Sequence, residues 1–411
     1  MHRTLCLFAA IFSPIASPAV YYVDSSAGSD SQNGLTAATP WSTLARAAQA
    51  PLSPGDYLLL KRGSTWREAL TLNASGAPDL PITVGAYGAG SVDPAIDGSN
   101  WSRAADLVSF EGRTDIVLDG IQLRSGQING LNINNCARIT IRNFTVSANR
   151  RFGMLIYNCS AVVIENSEIS GNGIDVTDSY DGIRIDGSGG ELSDFVIRNC
   201  NIHNNIGGLG WNSSNGIFLG HTGGTRPILR GVLISGNELA FNGNTSSNQT
   251  GRGLTGTFTG DVTVFNNYIH DTSSAGVYLG DEGVNVDITI AQNIFYNNAL
   301  RQFGGFTTSH GRAFHNAVFV DNGNLTAMGA EVGGSGTWQI LNNVFYYQTT
   351  STDPFRGFIR INDSVQDKNL KSDCNLFYSP NPDRWKMSDG ITLSFPQWMS
   401  LGFDLNSKNP Y

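Results

Sequence analysis

Apolar and polar residues alternate within two short phrases that recur between residues 130 and 294. The first phrase opens with glycine, and its copies read GLNINNC at 130, GMLIYNC at 153, GIRIDGS at 182, GIFLGHT at 216, GLTGTFT at 253 and GVYLGDE at 276. The second phrase follows, as ITIRNFTV at 139, VVIENSEI at 162, FVIRNCNI at 195, VLISGNEL at 232, VTVFNNYI at 262 and ITIAQNIF at 288. A period of two predicts β-strands. Recurrence of the pair every few tens of residues predicts a solenoid of stacked coils in one domain.

Asparagines mark the ends of the second phrases. When these phrases are aligned on their last apolar residue, one inward turn position holds Asn143, Asn166 and Asn199, and the neighbouring position holds Asn237, Asn267, Asn293, Asn343 and Asn375. Asparagine tolerates left-handed backbone and its amide bonds sideways, so a stack of asparagines stabilises a recurrent bend. This ladder predicts a parallel β-helix rather than a propeller, a leucine-rich horseshoe or an antiparallel sandwich. The wide interval from 293 to 343 predicts one coil with long loops at 297–312 and 322–336.

The segments outside the repeats predict an export signal and two caps. Residues 1–19 combine Arg3, the apolar run LCLFAAIF and small residues at the end, which is typical of a cleaved secretory signal and too short to span a membrane. Residues 20–100 predict a cap and first coil, with a short helix near residues 43–50 covering the open end of the solenoid. The repeats occupy 101–380 and a tail or cap occupies 381–411. The exported chain is expected to be a monomer.

Composition narrows the range of partners. The net charge of −8 and the pI near 5.2 argue against nucleic acid or an anionic membrane surface. Cys136 and Cys159 take equivalent places in successive first phrases. Coils about 4.8 Å apart suit a disulfide between them, and a row of buried free thiols is the alternative.

The entry segment with its Pro54-Gly55-Asp56 turn, the paired phrases and the asparagine ladder together resemble the right-handed parallel β-helix (pectate-lyase-like) superfamily. The resemblance implies an all-β, right-handed solenoid that binds a polysaccharide along the outer face of one sheet. It implies several activities, because this fold hosts lyases, glycoside hydrolases, uronan epimerases and adhesins. Lyases of this fold often use a lysine or arginine base, commonly with Ca²⁺. No lysine lies between Lys61 and Lys368 in this sequence, so the repeats between residues 130 and 294 lack a lysine base.

The outward rows of the first phrases bring reactive side chains together. Tyr157, Asp186 and His221 lie on three successive coils, and Arg184 shares a strand and a face with Asp186. This set predicts proton abstraction from a uronate: Arg184 neutralises the sugar carboxylate, His221 or Arg184 is the base, and Tyr157 is the acid. Asp186 would orient His221 or bind Ca²⁺. A polysaccharide lyase is the first hypothesis, and protonation of the opposite face would make the enzyme a C5-epimerase.

Two other functions remain open for the same face. A glycoside hydrolase would pair Asp178 or Asp181 with Asp186, and it needs two carboxyl groups about 5–9.5 Å apart. A non-catalytic adhesin would only bind glycan, and exposed strands carry polar side chains in any case. The remaining predicted residues are Arg151, Phe218, Tyr278 and Trp211 as sugar contacts, and Asp178, Asp281 and Glu282 as Ca²⁺ ligands.

Overall fold

A computed structural model of the 411-residue chain describes residues 17–102, 104–175, 178–207, 215–220, 225–243, 251–280, 286–307, 310–321, 328–348, 357–362, 369–380 and 383–409. Along this part of the chain, successive strands enter three sheets in turn, which we call A, B and C. Each strand pairs in parallel with the strand one coil later, and the antiparallel pairing of the last two strands of sheet C is an exception. Strands are numbered in chain order.

Sheet A contains β1 (Val20–Val23), β2 (Tyr57–Lys61), β5 (Ile82–Tyr87), β8 (Thr114–Asp119), β11 (Ala137–Arg142), β14 (Ser160–Glu165), β17 (Glu191–Ser193), β18 (Phe195–Arg198), β21 (Ile228–Ser235), β24 (Thr259–Phe265), β27 (Val286–Ala291), β30 (His310–Phe314), β33 (Thr337–Leu341) and β36 (Leu370–Asp373). Sheet B contains β3 (Thr65–Trp66), β6 (Ala95–Asp97), β9 (Gln122–Arg124), β12 (Thr145–Ser147), β15 (Glu168–Ser170), β19 (Asn201–His203), β22 (Glu238–Ala240), β25 (Tyr268–His270), β28 (Ile294–Tyr296), β31 (Ala317–Val320), β34 (Val344–Tyr347) and β37 (Leu376–Tyr378). Sheet C contains β4 (Leu70–Thr71), β7 (Val108–Glu111), β10 (Leu131–Asn134), β13 (Met154–Tyr157), β16 (Ile183–Asp186), β20 (Ile217–Gly220), β23 (Leu254–Thr257), β26 (Ala275–Leu279), β29 (Arg301–Phe306), β32 (Met328–Gly333), β35 (Gly357–Ile361), β38 (Asp383–Lys386) and β39 (Thr392–Ser394).

Inward-facing residues stack on one another from coil to coil. In sheet C, Ile133 pairs with Ile156, Ile156 with Ile185, and Ile185 with Leu219. Each of these side chains is at most 1% exposed. Such columns from all three sheets merge into one hydrophobic core, which removes apolar surface from water along the whole solenoid. The period-two assignment of faces and the parallel β-helix are therefore confirmed.

A ladder of buried asparagines runs up the bend between sheets A and B. Its members are Asn237, Asn267, Asn293, Asn316, Asn343 and Asn375. Each Nδ2 donates to the Oδ1 of the next asparagine at 2.9 to 3.1 Å. The ladder confirms the second predicted group and adds Asn316, which the sequence analysis missed.

Two details of the predicted ladder were wrong. Asn143, Asn166 and Asn199 do not face inward: they are exposed, with φ of 54°, 50° and 53°. They supply the left-handed backbone of the bend, and the next residue of each coil points into the core. The interval from 293 to 343 is not one coil with long loops, because β30 and β31 within it form a further coil that contributes Asn316 to the ladder.

A second ladder, which the sequence analysis did not identify, fixes the bend between sheets B and C. Asn149, Asn172, Asn205 and Asn242 are fully buried and joined by Nδ2-to-Oδ1 bonds of 2.8 to 3.0 Å. The glycines that open the first four of these phrases, Gly130, Gly153, Gly182 and Gly216, lie against this ladder. A Cβ on Gly182 would come within 2.7 Å of Asn205 Nδ2 and of the Gly216 carbonyl oxygen. The close approach of successive coils thus requires glycine at this position.

Short helices lie at both ends of the described solenoid. Helix α1 (Leu44–Ala47) is shorter than the predicted segment 43–50, and it buries Leu44 and Ala47 in the core near β1. Helix α2 (Phe395–Ser400) buries Trp398, which stacks on Phe403 at 4.3 Å. Among the described residues, no helix is both long and apolar enough to cross a membrane. Residues 1–16, most of the predicted signal, lie outside the described residues.

The sequence left open whether Cys136 and Cys159 form a disulfide, and in the structure they are free thiols. Cys136, Cys159 and Cys200 are buried and unbridged, whereas Cys374 is exposed. The backbone N–H of Cys136 donates to the Sγ atom of Cys159 at 3.3 Å. Burial raises the pKa of the Cys200 thiol to about 11, which keeps it protonated and unreactive at neutral pH.

Thiol titration of the protein without residues 1–19 is therefore expected to proceed in two steps. Only Cys374 reacts with a thiol reagent in the native protein, because the other three thiols are buried. Denaturant without reductant then exposes Cys136, Cys159 and Cys200. Release of a single further thiol on unfolding would show that Cys136 and Cys159 form a disulfide after all.

Candidate functional site

The outer face of sheet C carries Tyr157, Arg184 and Asp186, the described members of the group that the sequence analysis brought together. Tyr157 pairs in register with Asp186, and Arg184 pairs with Leu155 on one side and Phe218 on the other. These residues face away from the core because they alternate with the buried inward column. The register of Tyr157 with Asp186 and the outward position of Arg184 are as expected, whereas His221 lies outside the described residues.

Arg184 is enclosed by charge and by aromatic rings. Its Nη1 lies 3.2 Å from Asp181 Oδ2, its Nε lies 3.1 Å from Asp186 Oδ2, and the side chain is 9% exposed. Its guanidinium carbon lies 5.4 Å from the ring centre of Phe152 and 4.4 Å from that of Phe218. Arg184 thus holds the carboxyl groups of Asp181 and Asp186 in place.

Asp181 lies beneath this cluster and does not reach solvent. The side chain is 0% exposed, and its Oδ1 accepts from the backbone N–H and the Nδ2 of Asn215 at 2.9 and 2.8 Å. Burial raises the pKa of Asp181, against the lowering effects of Arg184 and the Asn215 donors. With its oxygens taken by Asn215 and Arg184, Asp181 connects the strand β16 to the next coil and positions Arg184.

Asp186 is largely buried in the cluster, and Tyr157 borders it on the adjacent strand. Asp186 Oδ1 accepts from the Gly187 N–H at 2.6 Å, and its Oδ2 faces Arg184. Tyr157 is half-buried on the adjacent strand, about 4.8 Å away along the sheet. Asp178 is exposed on the turn that leads into β16, where its Oδ1 accepts from the Ser179 N–H at 2.7 Å.

The bend between sheets B and C forms one wall of this site. Tyr180 packs edge-on against Phe152 with ring centres 5.2 Å apart. The guanidinium carbon of Arg151 lies 5.5 Å from the Tyr180 ring centre, and Arg151 is exposed at the rim. The predicted sugar contact Arg151 thus lies beside the predicted catalytic group, whereas Phe218 is largely covered by Arg184.

A second charged cluster surrounds Tyr278, three strands further along sheet C. The guanidinium carbons of Arg252 and Arg301 lie 5.2 and 4.8 Å from the Tyr278 ring centre. Arg301 forms an ion pair with Glu331, and Arg252 Nη1 donates to Thr255 Oγ1 at 2.8 Å. Of the residues in this cluster, the sequence analysis identified Tyr278, as a sugar contact, and did not identify Arg252, Arg301 or Glu331. The segment MGAEVG at 328, which has the alternation of a first phrase, would have placed Glu331 on the outward row.

The predicted Ca²⁺ site stays a prediction, because part of it lies outside the described residues. His221, Trp211, Asp281 and Glu282 lie outside them, and within the described part of the chain no group of three or more histidine, cysteine, aspartate or glutamate residues is arranged to hold a metal ion. Arg184 occupies the space between Asp181 and Asp186. This cluster does not fit a divalent cation, because a guanidinium already supplies the positive charge.

Comparison with known proteins places this fold in a family. The family model for the right handed beta helix region matches residues 129–226 and 227–345, together more than half of the chain. A lacto-N-biosidase from Bifidobacterium longum subsp. longum is 34% identical over 98 residues, which are 21% of this chain and 6% of that protein. This chain therefore matches only a small fraction of the curated relative's length.

Solved structures were also compared with this chain. The crystal structure of pectate lyase Pel9A has a TM-score of 0.50 and 18% identity, with 87% of this chain and 81% of that chain covered. A rhamnogalacturonan lyase has a TM-score of 0.48 and 14% identity, with 95% and 87% covered. At these identities the likeness concerns the backbone alone. With its stacked parallel coils and its family match, the chain belongs to the right-handed β-helix family.

Proposed function

We propose that this chain hydrolyses glycosidic bonds at the outer face of sheet C, with Asp186 as a reacting carboxyl group. The observation that carries this proposal is the arrangement of Asp181 and Asp186 around Arg184. Both carboxyl groups lie within ion-pair distance of this guanidinium. Asp186 is largely buried, and its partner in strand register is Tyr157.

Electrostatics at this position favour hydrolysis over β-elimination. Eliminating across a uronate requires a cation that neutralises the sugar carboxylate and a base that removes the C5 proton. The charge of Arg184 is already paired with two carboxyl groups. A uronate carboxylate here would compete with Asp181 and Asp186 for this guanidinium, whereas a neutral glycosidic oxygen would not.

Each residue then has a defined role in the proposal. Glycoside hydrolysis uses one carboxyl group as acid and a second as base or nucleophile. Asp186 is one of the two, and Asp178 on the exposed turn is our candidate for the other. Tyr157 supplies a hydroxyl beside Asp186, and Asp181 and Arg184 are positioning residues. Local similarity to a protein named lacto-N-biosidase supports a glycoside as substrate, and the predicted signal supports action outside the cytoplasm.

A second candidate, β-elimination, would take place at Tyr278. This tyrosine lies between two guanidinium groups, of which Arg301 is paired with Glu331. A uronate carboxylate could bind beside these two guanidinium groups, and the phenol of Tyr278 could transfer the proton. The same outer face of sheet C thus offers two chemistries, and their products distinguish them.

The test is product analysis on a panel of polygalacturonate, alginate and an oligosaccharide with terminal lacto-N-biose. Hydrolysis at Asp186 is expected to release new reducing ends without the ultraviolet absorbance of an unsaturated sugar. Unsaturated products that disappear in Tyr278→Phe, with Asp186→Asn still active, would instead establish the second candidate. Binding without any cleavage would reject both.

A further inference from the structure

A cleft on the first coils is not used by the proposed chemistry. It has a volume of about 540 Å³. Residues from two consecutive bends between sheets B and C line it, the first between β3 and β4 and the second between β6 and β7. Their side chains include Arg67, Glu68 and Trp101. The cleft is therefore a mixed surface of one large aromatic ring and several polar groups.

Local contacts hold these side chains in place. Arg67 Nη1 donates to the backbone oxygen and the Oγ of Ser99 at 3.0 and 2.6 Å. Glu68 Oε2 accepts from the Ala45 N–H of helix α1 at 3.1 Å. Trp101 is half-buried and packs against the hydrophobic core. The floor of the cleft is thus ordered by the cap and by the first coils.

Such a lining is suited to a sugar ring. An indole offers a flat apolar face with a polar edge, and small-molecule sites combine apolar walls with a few polar groups that fix orientation. Arg67 and Glu68 carry opposite charges side by side, so they can bond sugar hydroxyls without requiring a charged ligand. The cleft chemistry therefore points to a neutral sugar unit rather than an anion.

A continuous polar row joins this cleft to the proposed catalytic group. Ala105 lines the cleft, and the neighbouring Asp106 accepts from Asn129 Nδ2 at 2.8 Å and from Asn132 Nδ2 at 2.7 Å. Asn132 in turn accepts from Asn134 Nδ2 at 2.9 Å. The next steps of the row are set by strand register, in which Asn134 pairs with Tyr157 and Tyr157 with Asp186. Strands of one sheet lie about 4.8 Å apart, so β7 beside the cleft is about 14 Å from β16.

We propose that the Trp101 cleft is a distal subsite that binds a sugar unit of the same glycan chain that is cleaved at Asp186. The inference rests on the proposed function, because the cleft is assigned to the substrate of that reaction. It adds a property of the substrate: the enzyme acts best on chains long enough to extend from β16 to the β3–β4 bend. Binding energy from a remote part of a substrate raises the rate at the reacting centre, and truncated substrates lose it.

The experiment compares kcat/KM on size-graded oligosaccharides prepared from the polysaccharide that the enzyme cleaves. The ratio of kcat/KM for long chains to that for short chains is expected to fall about tenfold in Trp101→Ala, which corresponds to about 1.4 kcal/mol. Arg67→Gln, an exposed substitution that does not disturb the core, is expected to lower the same ratio. Tyr57→Ala is the control, because Tyr57 is an aromatic residue that is 40% exposed on the outer face of sheet A, away from the cleft. Its ratio is expected to match the wild type.

The outcomes separate this inference from the proposed function. Asp186→Asn is expected to lower activity on long and short chains alike. Full activity in that variant rejects the proposed function, and the ratio of kcat/KM for long to short chains can still be measured. A wild-type ratio in Trp101→Ala and Arg67→Gln, with unchanged melting temperatures, overturns the subsite.

If the wild type cleaves nothing, binding to an array of neutral and acidic oligosaccharides of graded length replaces kinetics. Weaker binding by Trp101→Ala than by Tyr57→Ala then supports the subsite. Equal binding by the two variants, or no binding by the wild type, overturns it.

Discussion

Asp186→Asn is expected to lower kcat/KM on the cleaved glycan by about 10²–10⁴-fold, the usual contribution of a positioned acid or base. The substitution keeps the shape of the side chain and removes its charge. Arg184 then retains Asp181 as its carboxylate partner, so the strand β16 stays in place. The measurement is steady-state kinetics on the substrate found in the panel, together with thermal melting of the variant.

Asp119→Asn provides the matched control for this experiment. Asp119 is also an outward carboxylate on a strand and is paired with an arginine, Arg142, at 2.9 Å, but it lies on sheet A. Its loss is expected to leave kcat/KM within about twofold of the wild type, because surface ion pairs contribute about 0–1 kcal/mol. A folded Asp186→Asn enzyme as active as Asp119→Asn would remove Asp186 from the catalytic group.

Asn293→Ala is expected to destabilise the solenoid by about 3–5 kcal/mol, because buried polar groups left without partners cost about 1–3 kcal/mol each. Asn293 Oδ1 accepts from the backbone N–H and the Nδ2 of Asn267, both at 2.9 Å. Its Nδ2 donates to the Val264 oxygen at 2.9 Å and to Asn316 Oδ1 at 3.1 Å. Alanine removes these bonds on both neighbouring coils, and the buried backbone N–H of Asn267 and oxygen of Val264 lose them. Asn267 Nδ2 keeps the Ile234 and Phe265 oxygens, and Asn316 Oδ1 keeps the N–H of residue 293. The measurement is the midpoint of urea unfolding.

Asn166→Gly is the control for the ladder. Asn166 occupies the neighbouring position of the same bend, but it is exposed and has φ of 50°, which glycine adopts freely. Its substitution is expected to change stability by less than about 1 kcal/mol. Equal shifts of the unfolding midpoint in the two variants would mean that the ladder bonds contribute nothing beyond the bend itself.

Alternation was sufficient to predict the fold and its faces, and its one failure has a structural cause. The coil of β30 was missed because HGRAF lacks an apolar residue at an inward position, where Gly311 stands. Gly311 pairs with Trp338 on the next coil, and a Cβ there would lie 2.3 Å from the Trp338 ring. The missing side chain of Gly311 leaves space in the core that the Trp338 ring of the next coil fills. The alternation within a single coil cannot predict such packing between coils.

The sequence predicted which residues of the candidate site lie side by side on neighbouring strands. It did not predict which charged side chains pair with one another. Tyr157 and Asp186 follow from strand register, which the repeats define. The pairing of Arg184 with Asp181 depends on how the turn before β16 folds back, and Asn215 fixes Asp181 from the next coil. Arg301 and Glu331 likewise meet across coils. Contacts of this kind are set by loop conformation, which carries no periodic signal.

The most direct test of hydrolysis at Asp186 is cleavage in water labelled with heavy oxygen, followed by mass spectrometry of the products. Our account predicts that each cleaved bond places one labelled oxygen in a product and that Asp186→Asn suppresses this incorporation. Products that form at the wild-type rate without label, and carry the mass of a dehydrated sugar, would contradict the account and assign cleavage to β-elimination.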